Sequence, residues 1–148
     1  TMLVFIHSLN RQWGNALSAT VAHEFNHSVF LRHNKCESVL DSMIFEGLAE
    51  HFREKTVGGK QAPWTKVLNQ DESRDLFLEL RSSNILRSTD IKICHAVFFG
   101  NNTYTRWTGY TIGYFIVDSF LRYNPTLEWK DIMTMCPQEI FAKSEFLK

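Results

Sequence analysis

In the stretch VAHEFNHSVF, His23 and His27 stand four positions apart, with Glu24 directly after the first. On an α-helix, residues i and i+4 share one face, one turn apart. Both imidazoles can then offer a nitrogen to a single ion at about 2.0–2.1 Å, the usual zinc–imidazole distance. Glu24, turned roughly 100° from His23, misses the metal but can reach a water bound to it. Two ligands and a general base from one helix form the His-Glu-x-x-His arrangement of zinc hydrolases. The competing reading is an amphipathic helix that happens to hold two histidines.

A catalytic zinc takes three protein ligands and leaves its fourth position to water. Glu46 follows His27 by nineteen residues, within IFEGLAEHF. A second helix after a connecting loop would turn it back onto the histidine pair; otherwise it is a helix-surface glutamate. Gly47 suits a close approach of two helices, although glycine inside a helix costs about 1 kcal/mol relative to alanine. Glu50 lies one turn beyond Glu46 on the same face, and carboxylates often receive the second N–H of a ligating histidine. A hydrolase of this kind also needs a donor for the oxyanion. Tyr104, Tyr110, Tyr114 and His95 are the candidates. Tyr110 begins a helix from which a phenol can overhang a cleft, and Tyr114 is the alternative one turn later. Both also read as core aromatics. Arg106 could hold a substrate carboxylate, or be a solvated loop arginine.

The elements that must place these groups are mostly helical. MLVFIH reads as one strand. Helical periodicity covers Asn15 to Arg32, with Leu17, Val21 and Phe25 at the expected spacing. A second helix is expected from Asp41 or Ser42 to Val57, stopped by Gly58-Gly59. A third spans about Asp71 to Arg81. The segment DIKICHAVFFGNNTY is ambiguous: Ile91, Ile93 and Val97 suggest alternation, and Gly100-Asn101-Asn102 a turn. Thr108 is the expected cap of a helix over Gly109 to Tyr123, ended by Asn124-Pro125. Two short helices, about Leu127 to Met135 and Pro137 to Ser144, close the chain.

The 148 residues make a single domain, 1–148, with room for a proper core. Sixteen basic and sixteen acidic side chains cancel, which speaks against a nucleic-acid partner. The apolar run Tyr110 to Val117 is too short to span a bilayer, so no transmembrane segment is expected. No secretory signal opens the chain. It starts inside a strand-like run, as the C-terminal part of a longer chain would. Cys36, Cys94 and Cys136 form no C-x-x-C pair, which favours a reducing compartment; a bacterial cytoplasmic location is the expectation.

VAHEFNH, SMIFEGLAEHF, WTGYTIGYFIVDSFL and the closing PQEIFAKSEF together resemble the YjaZ-like family of predicted bacterial zinc-dependent proteases. The resemblance covers most of the chain. The His-Glu-x-x-His-x18-Glu spacing is that of gluzincin metallopeptidases, and EGLAE resembles the Glu-Gly-Phe-Ala element that carries the third zinc ligand in their aminopeptidase branch. The resemblance implies one Zn2+ per chain held by His23, His27 and Glu46, with Glu50 orienting His23. It implies Glu24 as general base toward a zinc-activated water, and Tyr110 as the transition-state tyrosine. It also implies an α+β, mostly α, zincin-like catalytic domain with a small N-terminal β element. The Gly-x-Met-Glu-Asn element that holds a substrate's free amine in the aminopeptidases is absent from FIHSLNRQWGN, so an endopeptidase acting on a peptide or protein is expected instead. The strand Leu3 to His7 could align such a substrate by edge pairing, or be a buried core strand. The rival class is a degenerate, non-catalytic zincin-like module that binds a peptide or partner through the same cleft.

Overall fold

α1 (Trp13–His33) and α2 (Val39–Val57) form an antiparallel pair whose sharp turn is written in the sequence. Ser38 is the N-cap of α2: its hydroxyl accepts from the Asp41 N–H at 3.2 Å, and Asp41 returns a carboxylate to the Ser38 N–H at 2.9 Å. This reciprocal capping box starts α2 at Val39, two or three residues before the expected start at Asp41 or Ser42, because Asp41 is the third helical residue and not the cap. Gly58 stops the helix with φ 76°, a backbone that side chains with a Cβ seldom adopt.

The computed structural model describes residues 13–148. The rest of the chain is built from α3 (Gln70–Ser82), α4 (Ile91–Phe99), α5 (Thr108–Tyr123), α6 (Trp129–Ile132) and α7 (Pro137–Ala142), with 3-10 turns at Pro63–Thr65 and Ile85–Arg87. Among the described residues there are only helices and no strand. The α+β expectation is therefore corrected to all-α for this part, while the strand expected at Leu3 to His7 lies outside the described residues. The ambiguous segment folds as α4. Ile93 and Val97 are four apart, a spacing that fits both a strand and a helix, and Asp90 decides by capping the Lys92 N–H at 2.8 Å. Ile91, which completed the alternation, is 76 % exposed. A second correction concerns Thr108, which is the first residue of α5 and not its cap. Its hydroxyl donates to the Thr105 carbonyl at 2.7 Å, and Trp107 takes the cap position with φ 74°.

α2 is the axis of the domain, covered by α1 on one side and α5 on another. Its apolar residues Met43, Ile44 and Leu48 meet Ile112, Ile116, Val117 and Phe120 of α5 in one fully buried cluster. The crossing is tight because both helices are glycine there. A methyl on Gly47 would collide with the Gly113 carbonyl, and one on Gly113 with the Met43 carbonyl. Phe30 of α1 joins this core. No described helix is long and apolar enough to cross a membrane.

Candidate metal centre

α1 and α2 face each other across His23, His27 and Glu46. The Glu46 carboxylate reaches His23 Nε2 at 3.2 Å and His27 Nε2 at 3.5 Å through the same oxygen. Two donors bound to one tetrahedral zinc at about 2.1 Å stand about 3.4 Å apart. These separations therefore match adjacent corners of a zinc coordination tetrahedron. All three donor atoms lie within 4.8 Å of one another. Two imidazole nitrogens and one carboxylate oxygen are also a donor set that catalytic zinc uses. The residues present fit the ion.

Each histidine is held differently. His23 is gripped from behind: its Nδ1 lies 2.9 Å from Glu50 Oε1. Glu50 in turn accepts the Trp64 indole N–H at 3.1 Å and the Arg53 Nε–H at 3.0 Å, and its side chain is 1 % exposed. His27 is fixed by stacking instead, its ring 3.7 Å from that of Phe45 and nearly parallel at 14°. The two histidine rings meet edge to face at 4.5 Å. One imidazole is thus oriented by a hydrogen bond, the other by an aromatic plane.

The electrostatics follow from this crowding. Burial works against a charged His23, yet the hydrogen bonds to Glu46 and Glu50 outweigh it and raise its pKa to about 9. Burial likewise opposes ionisation of Glu46, but hydrogen bonds from His23 and His27 bring it down to about 2. At neutral pH Glu46 is therefore ionised, and His23 holds a proton that a bound metal ion would displace.

The centre lines a cavity of about 1010 Å³ together with Glu24, Tyr110, Trp64 and Trp107. Tyr110 is raised to about 12, first by burial and then by the charge of Glu46, so its phenol keeps a proton to donate at neutral pH. Tyr114 is not brought to the cavity. Its hydroxyl donates to Glu54 at 3.0 Å and its ring stacks on His51 at 4.2 Å. Tyr104 is packed against the core and His95 is exposed beside Phe99; neither lines the cavity. Arg106 does line it. Four participants were not singled out from the sequence: Arg53, Trp64, Phe45 and Trp107. The only available signal was that an indole N–H or a guanidinium packed against protein seeks an acceptor, and that does not say which one.

The chain matches the family described as Predicted Zn-dependent protease (DUF2268) over residues 1–142. It is 28% identical over 111 residues to the uncharacterized protein YjaZ of Bacillus subtilis (strain 168), an alignment covering 72% of this chain and 42% of that protein. The chain thus spans less than half the length of this relative. No solved structure matches it. The chain belongs to the DUF2268 family of predicted Zn-dependent proteases.

Proposed function

We propose that this family member is a zinc metallopeptidase that cleaves internal peptide bonds of a peptide or protein substrate at the His23–His27–Glu46 centre. One observation carries the reading: three donors from two helices converge to within 4.8 Å of one another in an open cavity that also holds Glu24 and Tyr110. Bound there, Zn2+ would supply a Lewis acid that polarises the scissile carbonyl and acidifies water. Glu24 accepts the proton of the attacking water and delivers it to the leaving amine. Tyr110 donates its O–H to the oxyanion that develops on the carbonyl oxygen. Glu50 holds His23 in the tautomer that leaves Nε2 free for the ion.

Internal cleavage is favoured by two features. The cavity is lined by α1, at Ala16, Ala19 and Thr20, and by the Lys60–Lys66 segment, and its volume of about 1010 Å³ is more than a single terminal residue would fill. FIHSLNRQWGN offers no carboxylate to hold a substrate's free amine. The free cysteines Cys36, Cys94 and Cys136 suit a reducing compartment, and the bacterial cytoplasm is the location we propose.

The test is Glu24→Gln. The variant should keep its zinc and lose cleavage of a quenched peptide by at least about a thousandfold. Cleavage at the parent's rate would overturn the role given to Glu24.

A further inference from the structure

The cavity wall carries an excess of positive charge that the hydrolytic chemistry does not use. Glu46 and Glu50 are engaged by the histidines, and Arg53 by Glu50 and Glu54. The remaining charges on the wall are Glu24 and three exposed cations, Lys60, Lys66 and Arg106. None of these cations has an ion-pair partner among the described residues, and residues 1–12, TMLVFIHSLNRQ, contain no Asp or Glu to supply one.

Two anchored loops present these cations. Lys60 and Lys66 flank the turn Pro63–Thr65, which the Thr111 hydroxyl ties to α5 by donating to the Trp64 carbonyl at 3.1 Å. Arg106 lies on a loop with little freedom. Asn101 Oδ1 accepts the N–H groups of Thr103 and Tyr104, both at 2.8 Å, and the Trp107 N–H donates to the Phe98 carbonyl at 2.9 Å. Gly100, at φ 86°, lies so close that a Cβ would stand 2.9 Å from the Arg106 nitrogen. Trp107 is held at φ 74°, a conformation that bulky residues rarely adopt and that concentrates at functional sites. Its indole lies under the Arg106 guanidinium at 4.8 Å and edge-on to Trp64 at 6.5 Å.

We propose that this wall selects anionic peptides: the preferred substrates carry aspartate or glutamate beside the scissile bond, with Arg106 as the main specificity residue. A held guanidinium engages a carboxylate through two parallel N–H groups, and the two lysines add a less directional field. The proposal rests on the proteolytic reading, so its test includes an arm that needs no catalysis.

The zinc-loaded protein is given three quenched peptides that differ only in bearing two Glu, two Gln or two Lys on each side of the same scissile bond. The Glu peptide should be cleaved with kcat/KM at least about tenfold above the Gln peptide, mainly through KM, and the Lys peptide should be slowest. The advantage should shrink between about 50 and 500 mM NaCl, as screening shortens the reach of the wall. Arg106→Glu should remove the preference for Glu over Lys. Equal rates on the three peptides, or an unchanged order in Arg106→Glu, would overturn the proposal while leaving proteolysis intact. In the second arm, fluorescent copies of the peptides are bound to zinc-loaded Glu24→Gln and followed by anisotropy. Tighter binding of the Glu peptide supports the proposal even if the parent cleaves none of the three, and equal binding overturns it.

Discussion

The Glu50 carboxylate binds His23 Nδ1 at 2.9 Å and is itself almost wholly buried. It therefore does two jobs: it fixes the ring of His23 and is a counter-charge to Arg53, whose side chain is 10% exposed. Glu50→Gln should lower zinc affinity by about ten- to a hundredfold. It should also destabilise the fold by about 3 kcal/mol, because Arg53 loses a buried counter-charge. Zinc titration calorimetry and urea unfolding separate the two effects. Unchanged zinc affinity would mean that this contact does not position His23.

Tyr110 and Tyr114 are one turn apart, yet only Tyr110 lines the cavity. Tyr110→Phe should reduce kcat by about a hundredfold or more with zinc content unchanged, the usual effect of losing one oxyanion donor. Tyr114→Phe gives up only the bond to Glu54, and its kcat should stay within about twofold of the parent. Steady-state kinetics on one peptide decides between them; equal losses would remove Tyr110 from its role.

The α2–α5 crossing has no room for a methyl group. Gly113→Ala should destabilise by about 2 kcal/mol or more, since the added carbon meets the Met43 backbone and not a side chain that could swing away. The strain falls three residues before Glu46, so zinc affinity should drop with stability. A thermal melt of the zinc-loaded protein checks this, and an unchanged midpoint would show that the helices can separate freely.

His51 gives the fold a dependence on acid. Burial disfavours its charged form and lowers its pKa below 6.5. Above pH 6.5 it is neutral whether folded or unfolded, and its contribution is fully present. As pH falls below 6.5 the unfolded chain takes the proton first, and stability is lost until the folded pKa is passed. His51→Gln retains a donor for the Tyr114 carbonyl, which His51 Nε2 approaches at 3.1 Å. Urea midpoints at pH 7 and 5 should fall less in the variant than in the parent. Made on zinc-free protein, the comparison isolates His51 from His23, whose raised pKa of about 9 acts there with the opposite sign, stabilising below 6.5 and fading as pH climbs toward 9. Parallel pH profiles would exclude His51 as the cause.

The convergence of His23, His27 and Glu46 was legible in the sequence because it rests on local spacing. His23 and His27 need only a helix to share a face, and Glu46 with Gly47 announced a second helix at close range. The partner that Gly47 meets is α5 at Gly113, a distant contact that no local pattern encodes. Tyr110 and Tyr114 were equivalent by helical period. Their separation depends on Glu54 and His51, which draw Tyr114 away from the cavity. The α4 segment misled because an i, i+4 apolar pair satisfies both periods, and Asp90 as a cap outweighed it. Trp64 was unreadable because its significance lies in one hydrogen bond to a carboxylate fourteen residues earlier.

The most direct measurement is the zinc content of the purified protein after dialysis against micromolar zinc, for the parent and for His23→Ala, His27→Ala and Glu46→Ala, with folding verified by circular dichroism. One zinc per chain is expected in the parent and less than about a tenth in each folded variant. A parent without zinc, or a Glu46→Ala variant that retains the full complement, would contradict a centre built from these three side chains.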